Sequence, residues 1–492
     1  MCGIRRHKGR KTFILVKRIT VKITKNIYYF FRYAYRFNLQ IHTQVAPARE
    51  RGGEIRPLVR KRPAAHGPRH PPEQDGPEGA TARTAVRKRA KHPEKTDRAE
   101  TDRRKSGENG NRIRNFSLSL VAMAGLYFHI PFCKRVCAYC DFYKSVELDR
   151  MEPLAEAMRR ELEARRDYLG GEPVRTRYFG GGTPSLCPPE TIGGLLARAA
   201  ELFDCSAVEE TTLEANPDDL TPAYLEALRR TGIDRLSIGI QSFDDACLKL
   251  MNRRHTAAQA AEAIRAAQRA GFGNITLDLI FGVPGFGGDT LRRSLDTALS
   301  LGVQHISAYH LTVEPDTAFG RRAARGEFRA VDEQVSETEF LTVHETLTRA
   351  GFEHYEVSNF ALPGFRARHN AAYWHGAKYL GIGPAAHSFD GEERHWNVGS
   401  VERYIAGDPA ERELLTNRDR FNEYVMTALR TAEGIDTREV AARFGTKRLE
   451  RMREEAAPYL QSGALRDAGG RLAVPPERFL ISDAVIEALF ET

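Results

Sequence analysis

From Leu126 onward, short apolar runs alternate with longer stretches that have helical spacing. The apolar runs predict strands at 126–130, 174–179, 210–214, 235–240, 274–280 and 305–310. The stretches between them predict amphipathic helices near 151–168, 189–203, 221–231, 257–270 and 289–301. Strands that alternate with helices predict a parallel sheet with right-handed crossovers. Because these units are too few for an eight-unit barrel, we predict an open, partial (β/α)6 barrel.

The pattern changes beyond this α/β region. Residues 331–415 are rich in Tyr, His and Trp. We expect them to complete the barrel on the side where a substrate binds. Residues 416–492 predict a smaller, mainly helical C-terminal domain. Its predicted helices lie near 421–431, 437–444, 448–461 and 480–490, with a short hairpin around 463–474. The predicted domains are therefore 123–330, 331–415 and 416–492.

The first quarter of the chain differs in composition from the rest. Residues 1–122 contain 30 Lys and Arg but only 10 Asp and Glu. Residues 46–114 offer little to bury and are expected to be disordered. The change at Met123 suggests that this residue is the native start and that 1–122 is a mis-assigned extension. An Arg-rich targeting peptide and a nucleic-acid-binding arm are the alternatives.

Charge and cysteine content restrict the possible functions of the chain beyond residue 122. Of the chain's 74 basic and 65 acidic residues, 44 and 55 lie beyond residue 122, so this part is acidic and no nucleic-acid partner is expected. Seven cysteines in 492 residues are too few for a disulfide framework. No uncharged apolar run approaches the ~20 residues needed to span a bilayer. We therefore expect a cytoplasmic protein whose cysteines serve a metal or catalysis.

Three cysteines follow the first predicted strand with the spacing C-x3-C-x2-C, at Cys133, Cys137 and Cys140. Thiolates this close in sequence can bind one inorganic centre. A [4Fe–4S] cluster with one open iron is one interpretation. A zinc site with His129 as fourth ligand is another, and three unrelated buried thiols are a third.

Polar and glycine signals lie late in, or just after, the next four predicted strands. They are Gly180–Thr183, Glu214, Gln241 and Asp278, with Arg253 further along the chain. The carboxyl ends of parallel strands share one face, so these residues predict one site for a polar ligand that carries a ribose and charged groups. Each residue alone is also consistent with a turn, a cap or a surface group.

A further motif, Arg368-His-Asn-Ala-Ala-Tyr-Trp-His375, places imidazoles beside large aromatic rings. Such residues can ligate haem iron and stack on its macrocycle. A satisfied histidine in an aromatic core is the alternative, which the motif alone favours. His387, in a glycine-rich segment, is equally ambiguous.

Together these motifs resemble the oxygen-independent coproporphyrinogen III oxidase-like branch of the radical S-adenosylmethionine (SAM) family. The resemblance runs from about Leu126 to the C-terminus and excludes 1–122. It implies that the three cysteines bind a [4Fe–4S] cluster and that SAM occupies its open iron. The positions matching SAM contacts in that family are Tyr127, Gly181, Gly182, Thr183, Glu214, Gln241, Arg253 and Asp278.

Two activities occur within this branch. The oxidases carry a further cysteine two residues after the third, where this chain has Phe142. The motif from His369 to Trp374 is instead similar to that of the branch's haem chaperones, in which the histidine is linked to haem. We therefore expect a haem chaperone. Coproporphyrinogen oxidation and a non-catalytic iron–sulfur or zinc module are the alternatives.

The resemblance also implies partners. Haem, acceptor haemoproteins of the respiratory chain and an electron donor are expected, together with reductive cleavage of SAM. No residue is assigned as catalytic. Peripheral membrane association, a homodimer and the second haem ligand are left open, with His375 and His387 as candidates for that ligand.

Overall fold

A computed structural model describes residues 124–492 of the protein. The expectations of a disordered extension and of a native start at Met123 lie outside the described residues. Within the described range, no helix combines the length and low polarity that a membrane crossing requires.

Six parallel strands form the centre of the molecule. They are β1 (Ala124–Ile130), β2 (Val174–Gly181), β3 (Glu210–Ala215), β4 (Arg235–Gln241), β5 (Ile275–Phe281) and β6 (His305–His310). They pair side by side in chain order, each parallel to the next. Helices connect them: α1 (Met151–Ala164), α2 (Pro189–Leu202), α3 (Pro222–Arg230), α4 (Asp245–Leu250), α5 (Ala257–Arg269) and α6 (Asp289–Ser300). The predicted strand–helix alternation is confirmed.

The two faces of the parallel sheet differ in polarity. In β1, Leu126, Phe128 and Ile130 are buried in the hydrophobic core. Tyr127 and His129 alternate with them and point to the opposite face. The core lies between the sheet and its helices, with Leu154 and Met158 of α1 among its members.

Strands from residues 353–414 lengthen the sheet at both edges. β7 (Glu353–Glu356) and β8 (Asn359–Ala361) continue beyond β6. On the other side, β9 (Tyr379–Ile382) pairs parallel with β1, and β10 (His387–Phe389), β11 (Glu393–Trp396) and β12 (Glu411–Leu414) follow. The sheet has twelve strands within residues 124–492, with β12 and β7 at its two ends. The barrel is therefore open, as expected.

The helices of this later region are α7 (Ala318–Ala324), α8 (Glu333–Arg349), α9 (Arg368–Trp374) and α10 (Val401–Ile405). The C-terminal part is mainly helical, as expected, with α11 (Asn417–Ala428), α12 (Thr437–Phe444), α13 (Thr446–Gln461) and α14 (Ser482–Leu489). A small sheet contains β13 (Ile435–Asp436), β14 (Arg466–Ala468) and β15 (Arg471–Ala473), and the last two form the predicted hairpin. The domain boundaries stay a prediction.

One buried ion pair joins the extended sheet to the C-terminal helices. Arg394 of β11 donates two hydrogen bonds, of 2.8 and 3.0 Å, to the two carboxylate oxygens of Glu423 in α11. The two side chains are 5% and 13% exposed. Two parallel bonds between a guanidinium and a carboxylate fix the orientation as well as the distance.

We expect Glu423→Ala to lower the free energy of unfolding by about 3 kcal/mol, because it removes one partner of a buried pair. Urea denaturation measures the change. Glu450→Ala, at an exposed position of α13, is the matched control and should change it by less than about 0.5 kcal/mol. Equal effects of the two substitutions would contradict a structural role for this pair.

Candidate functional site

The three predicted metal-binding cysteines lie on the loop that follows β1, and contacts from three directions hold this loop. At the start of the loop, Cys133 N donates a hydrogen bond to Ser145 O at 2.9 Å. Ala138 N donates to Met251 O at 3.0 Å. Phe319 N, at the start of α7, donates to Ala138 O at 2.9 Å. These bonds hold the loop in place, and its three cysteines line the cavity at the strand ends.

Two of the thiols accept hydrogen bonds from the opposite wall. Thr183 Oγ1 lies 3.4 Å from Cys133 Sγ, and Arg253 Nη1 lies 3.2 Å from Cys137 Sγ. Burial raises the pKa of the Cys133 thiol to about 11, although the Thr183 hydrogen bond opposes this shift. Cys133 is therefore a neutral thiol unless a cationic centre binds and displaces its proton.

The zinc alternative takes His129 as its fourth ligand. His129 Nδ1 lies 2.9 Å from the Tyr127 hydroxyl, and its ring packs against Gly181. Three thiols lining one cavity, with donors aimed at two of them, fit a larger inorganic centre such as an iron–sulfur cluster.

The glycine-rich turn after β2 lies directly beneath the cysteine loop. Gly182 N donates to Ile130 O at 2.8 Å. A Cβ atom at Gly182 would lie 2.5 Å from the carbonyl carbon and oxygen of Pro131. Gly181 has φ 118°, a conformation that favours glycine. These glycines are needed because two backbone segments approach each other closely here.

Glu214, at the end of β3, is held by two hydrogen bonds. Tyr178 OH donates to Oε1 at 2.8 Å, and Gly181 N donates to Oε2 at 3.1 Å. Burial is the main cause that raises the pKa of Tyr178 well above its ordinary value, and the Glu214 charge adds to it. Tyr178 therefore stays protonated and acts as a donor, so the carboxylate has a fixed orientation in the cavity wall.

Gln241 and Arg253 form the next part of the wall. The pairing of β4 with β5 is irregular between Gly239 and Gln241, and Gln241 has a left-handed backbone with φ 71°. Such a bulge redirects a side chain, and the strained backbone costs on the order of 1–3 kcal/mol. Arg253 Nη2 donates to Asn216 Oδ1 and to Gly239 O, each at 2.6 Å. These two bonds, together with the contact from Nη1 to Cys137 Sγ, hold the guanidinium beside the cysteine loop.

The cavity unites almost all of the predicted site. Asp278 on β5 completes it, with Ser237 Oγ 3.4 Å from its Oδ1. The predicted residues that line it are Cys133, Cys137, Cys140, Gly181, Gly182, Thr183, Glu214, Gln241, Arg253 and Asp278. The carboxylates and the guanidinium can bind a ligand that carries both an ammonium and a carboxylate group.

Comparisons with known proteins agree with this arrangement. Residues 127–298 match the radical SAM superfamily and residues 415–480 match the HemN C-terminal domain. A heme chaperone HemW of Mycobacterium tuberculosis (strain CDC 1551 / Oshkosh) is 38% identical over 375 residues, which cover 74% of this chain and 94% of that protein. The chain belongs to the HemW family.

Two further comparisons support the family and the fold. A HemW protein of Bacillus subtilis (strain 168) is 33% identical over 66% of this chain and 87% of its own length. The solved structure of the coproporphyrinogen III oxidase HemN from Escherichia coli, a radical SAM enzyme, has a TM-score of 0.65 at 22% identity, covering 76% of this chain and 92% of that one. The expected family and fold are confirmed, and radical SAM membership implies a [4Fe–4S] cluster and SAM.

His369, the predicted haem ligand of this HemW-family chain, lies inside the protein. Its side chain is on α9 and the residue is 1% exposed. Nδ1 lies 2.8 Å from Thr176 Oγ1, and Nε2 lies 2.8 Å from Tyr373 OH. Burial lowers the pKa of His369 to about 3. Both ring nitrogens are therefore engaged, and His369 does not line the cavity in this conformation.

The other haem candidates and Tyr127 also lie away from the cavity lining. His375 is partly exposed, with Nε2 3.8 Å from a Glu433 carboxylate oxygen. His387 is 9% exposed, and its ring stacks on Trp396 with centroids 6.0 Å apart. Tyr127 stacks on Tyr178 at 6.0 Å. The three histidines are therefore not among the residues that line the cavity, whereas Tyr127 lies directly behind its wall, stacked on Tyr178.

Several residues of the site were missed by the sequence analysis. Tyr178 and Asn370 line the cavity, and Asn370 follows the predicted haem ligand directly. Deeper in the cavity, Arg235 donates to Thr276 and lies 3.8 Å from Glu210. Period-two alternation within the strands marks Tyr178 and Arg235 as inward-facing, which is the signal that could have identified them. Asn370 lies on α9, and no strand pattern marks it.

Glu210 also fixes the position of the haem motif. Its two carboxylate oxygens accept from Arg368 N at 2.9 Å and from His369 N at 3.0 Å, at the start of α9. A carboxylate at a helix N-terminus satisfies amide groups that have no partner within the helix. The predicted haem motif is therefore tied to β3, the strand that also carries Glu214.

We expect Gly182→Ala to displace the cysteine loop, because the new methyl group would meet the Pro131 backbone. Overpacking of this kind costs about 1–3 kcal/mol. The measurement is iron and sulfide bound per chain after anaerobic reconstitution, which should fall. Gly193→Ala in α2 is the control, because its Cβ would be 3.6 Å from Thr231 and makes an ordinary contact. Full iron content in Gly182→Ala would refute this account.

The burial of His369 predicts a pH dependence of stability. Its pKa is about 3 in the folded protein against an ordinary value of 6.5. As the pH falls, the unfolded chain therefore binds this proton before the folded protein does. The free energy of unfolding then decreases below pH 6.5 by about 1.4 kcal/mol per pH unit. His369→Gln should lose less stability than the parent protein between pH 6.5 and 5, as measured by urea denaturation. Identical pH slopes would mean that His369 is accessible to solvent.

Proposed function

We propose that this protein is a radical SAM haem chaperone that binds haem and transfers it to acceptor haemoproteins. The observation that carries the proposal is the single cavity wall that joins the cysteine loop to Glu214, Gln241, Arg253 and Asp278. The HemW names of the relatives support the haem-related part. Cys133, Cys137 and Cys140 are the proposed cluster ligands.

The chain's own residues are suited to bind SAM. Arg253 is a donor for the ligand's carboxylate, while Glu214 and Asp278 accept from its ammonium group or its ribose hydroxyls. Thr183, Gly181 and Gly182 bring backbone and hydroxyl groups close to the cysteine loop. Gln241 and Tyr127 complete the proposed SAM-binding set. When bound, the cluster supplies one electron for the reductive cleavage of SAM.

Haem binding is proposed at the α9 motif, with His369 as an axial ligand. Because both of its ring nitrogens are engaged, ligation requires His369 to exchange its bond with Thr176 or Tyr373 for iron. His375 and His387 are candidates for the second ligand. Of the two, His375 is the more exposed.

Phe142 favours the chaperone over the oxidase. It lines the cavity at the position where the oxidases of this branch, by resemblance, carry a further cysteine. Lys144 donates to the carbonyl oxygens of Cys140 and Phe142 at 3.0 Å each, which stabilises the backbone there. Coproporphyrinogen oxidation is the second candidate function.

The proposal extends to partners and location. We propose an electron donor that reduces the cluster, acceptor haemoproteins of the respiratory chain, and residence in the cytoplasm, which the low cysteine content supports. A homodimer and peripheral contact with the membrane that holds the acceptors are compatible with this proposal.

The haem proposal is tested by titrating haem into the anaerobically reconstituted full chain and its His369→Ala variant. We expect weaker binding in the variant and loss of the histidine–iron absorption features, because an axial ligand is removed. His375→Ala and His387→Ala, measured beside it, identify the second ligand. An unchanged spectrum and affinity in His369→Ala would remove His369 from the proposal.

A parallel incubation separates the candidate functions. The reconstituted protein is given SAM, a reductant and either haem with an apo-haemoprotein or coproporphyrinogen. Transfer of haem to the apo-haemoprotein, with no decarboxylated porphyrin, is the expected result. A decarboxylated product would establish the oxidase instead. Absence of 5′-deoxyadenosine under every reductant would favour a non-catalytic binding module.

A further inference from the structure

We infer that Tyr178 is a positioning residue that couples the SAM-binding carboxylate of Glu214 to the haem motif at His369. The coupling is negative: ligation of haem by His369 weakens SAM binding. This inference deepens the proposed function and rests on it for the identity of the two ligands. Tyr178 is not among the positions that match SAM contacts in the family.

The first observation is a cluster of three rings in the interior of the open barrel. Tyr178 and His369 stack with centroids 5.0 Å apart and an interplanar angle of 20°. Tyr127 stacks on both, at 6.0 Å from Tyr178 and 6.4 Å from His369. Tyr127 is a proposed SAM contact and His369 a proposed haem ligand. The two proposed sites therefore meet in this cluster.

The second observation is the bond from this cluster to the cavity wall. The Tyr178 hydroxyl donates to Glu214 Oε1 at 2.8 Å, and Gly181 N holds the other oxygen. A hydrogen bond to an ionised group is stronger and more directional than one between neutral groups. The position of the Tyr178 ring therefore determines which way the carboxylate faces.

The third observation is that two glycines pack tightly against the cluster. A Cβ atom at Gly180 would lie 2.9 Å from the Tyr178 ring, 3.0 Å from the Tyr127 ring and 3.1 Å from Glu214 Oε1. A Cβ atom at Gly125 would lie 3.1 Å from His369 Cε1. Only glycine hydrogens fit beside the rings at these two positions, so the packing there opposes independent movement of the rings. Movement of one ring therefore disturbs the next.

Haem ligation forces such a movement. Iron needs one nitrogen of His369, and the structure engages both, with Thr176 and Tyr373. The ring is also buried, so a macrocycle reaches it only if α9 or the imidazole moves outward. The His369 ring then no longer stacks on Tyr178. As a result, Tyr178 holds the Glu214 carboxylate less firmly in its orientation. By linkage, SAM must weaken haem binding by the same factor.

The first arm of the test measures SAM affinity of the cluster-loaded full chain without haem, by anaerobic equilibrium dialysis. Tyr178→Phe keeps the ring and removes the hydroxyl, and we expect about tenfold weaker SAM binding. Tyr224→Phe is the matched control, because its hydroxyl donates to Cys187 O on the outer side of the sheet. Affinity within twofold of the control would overturn the positioning role.

A double-mutant cycle separates positioning from a general structural effect. If Tyr178 acts through Glu214, adding Tyr178→Phe to Glu214→Gln should weaken SAM binding no further. Additive losses would show that Tyr178 acts through folding or packing alone, and would overturn the inference. Iron content and circular dichroism of each variant establish that the compared proteins are equally folded and loaded.

The second arm repeats the SAM measurement with saturating haem. In the parent protein we expect haem to weaken SAM binding by about two- to tenfold, the value of one aromatic stack. In Tyr178→Phe the dissociation constants for SAM with and without haem should be nearly equal. Equal constants in the parent protein, with haem bound, would overturn the coupling. Failure of haem to bind would refute the haem function and the coupling together, while the first arm still decides the role of Tyr178.

Discussion

The close contact between the first two strand ends is the constraint on which the site depends. Parallel pairing of β1 and β2 places Ile130 opposite Gly181, and Gly182 N bonds to Ile130 O at 2.8 Å. The cysteine loop and the glycine turn leave these two strands at the same level. A side chain at Gly182 would separate them. This backbone contact thus brings the thiols next to the polar groups of the cavity wall.

The polar inner face of the sheet follows from the same geometry. The outer face buries aliphatic and aromatic residues against helices, and this burial is the main source of stability. The inner face carries Glu214, Asp278, Arg235 and other polar groups that would be costly to bury without partners. Hydrogen bonds such as Tyr178 to Glu214 and Ser237 to Asp278 offset part of this cost. The open barrel leaves these polar groups facing the cavity.

Prediction from sequence succeeded where the pattern was long and local. The six strands and the helices between them follow from period and length, and the cysteines and glycines follow from spacing. It did not resolve the strands within residues 331–415, which are three or four residues long, carry no clear period and pair with distant partners. β9 joins β1, more than two hundred residues earlier in the chain. Only the completed sheet provides an edge for it.

The sequence by itself determined the family, the alternating core and the residue types of the cavity wall, because these depend on local spacing. The tertiary structure alone decided which of these residues meet. It placed His369 away from the cavity, between Thr176 and Tyr373, and stacked it on Tyr178. The physical reason is that β3 holds α9 through Glu210 while it presents Glu214 to the cavity. No local pattern records a contact made between segments 159 residues apart.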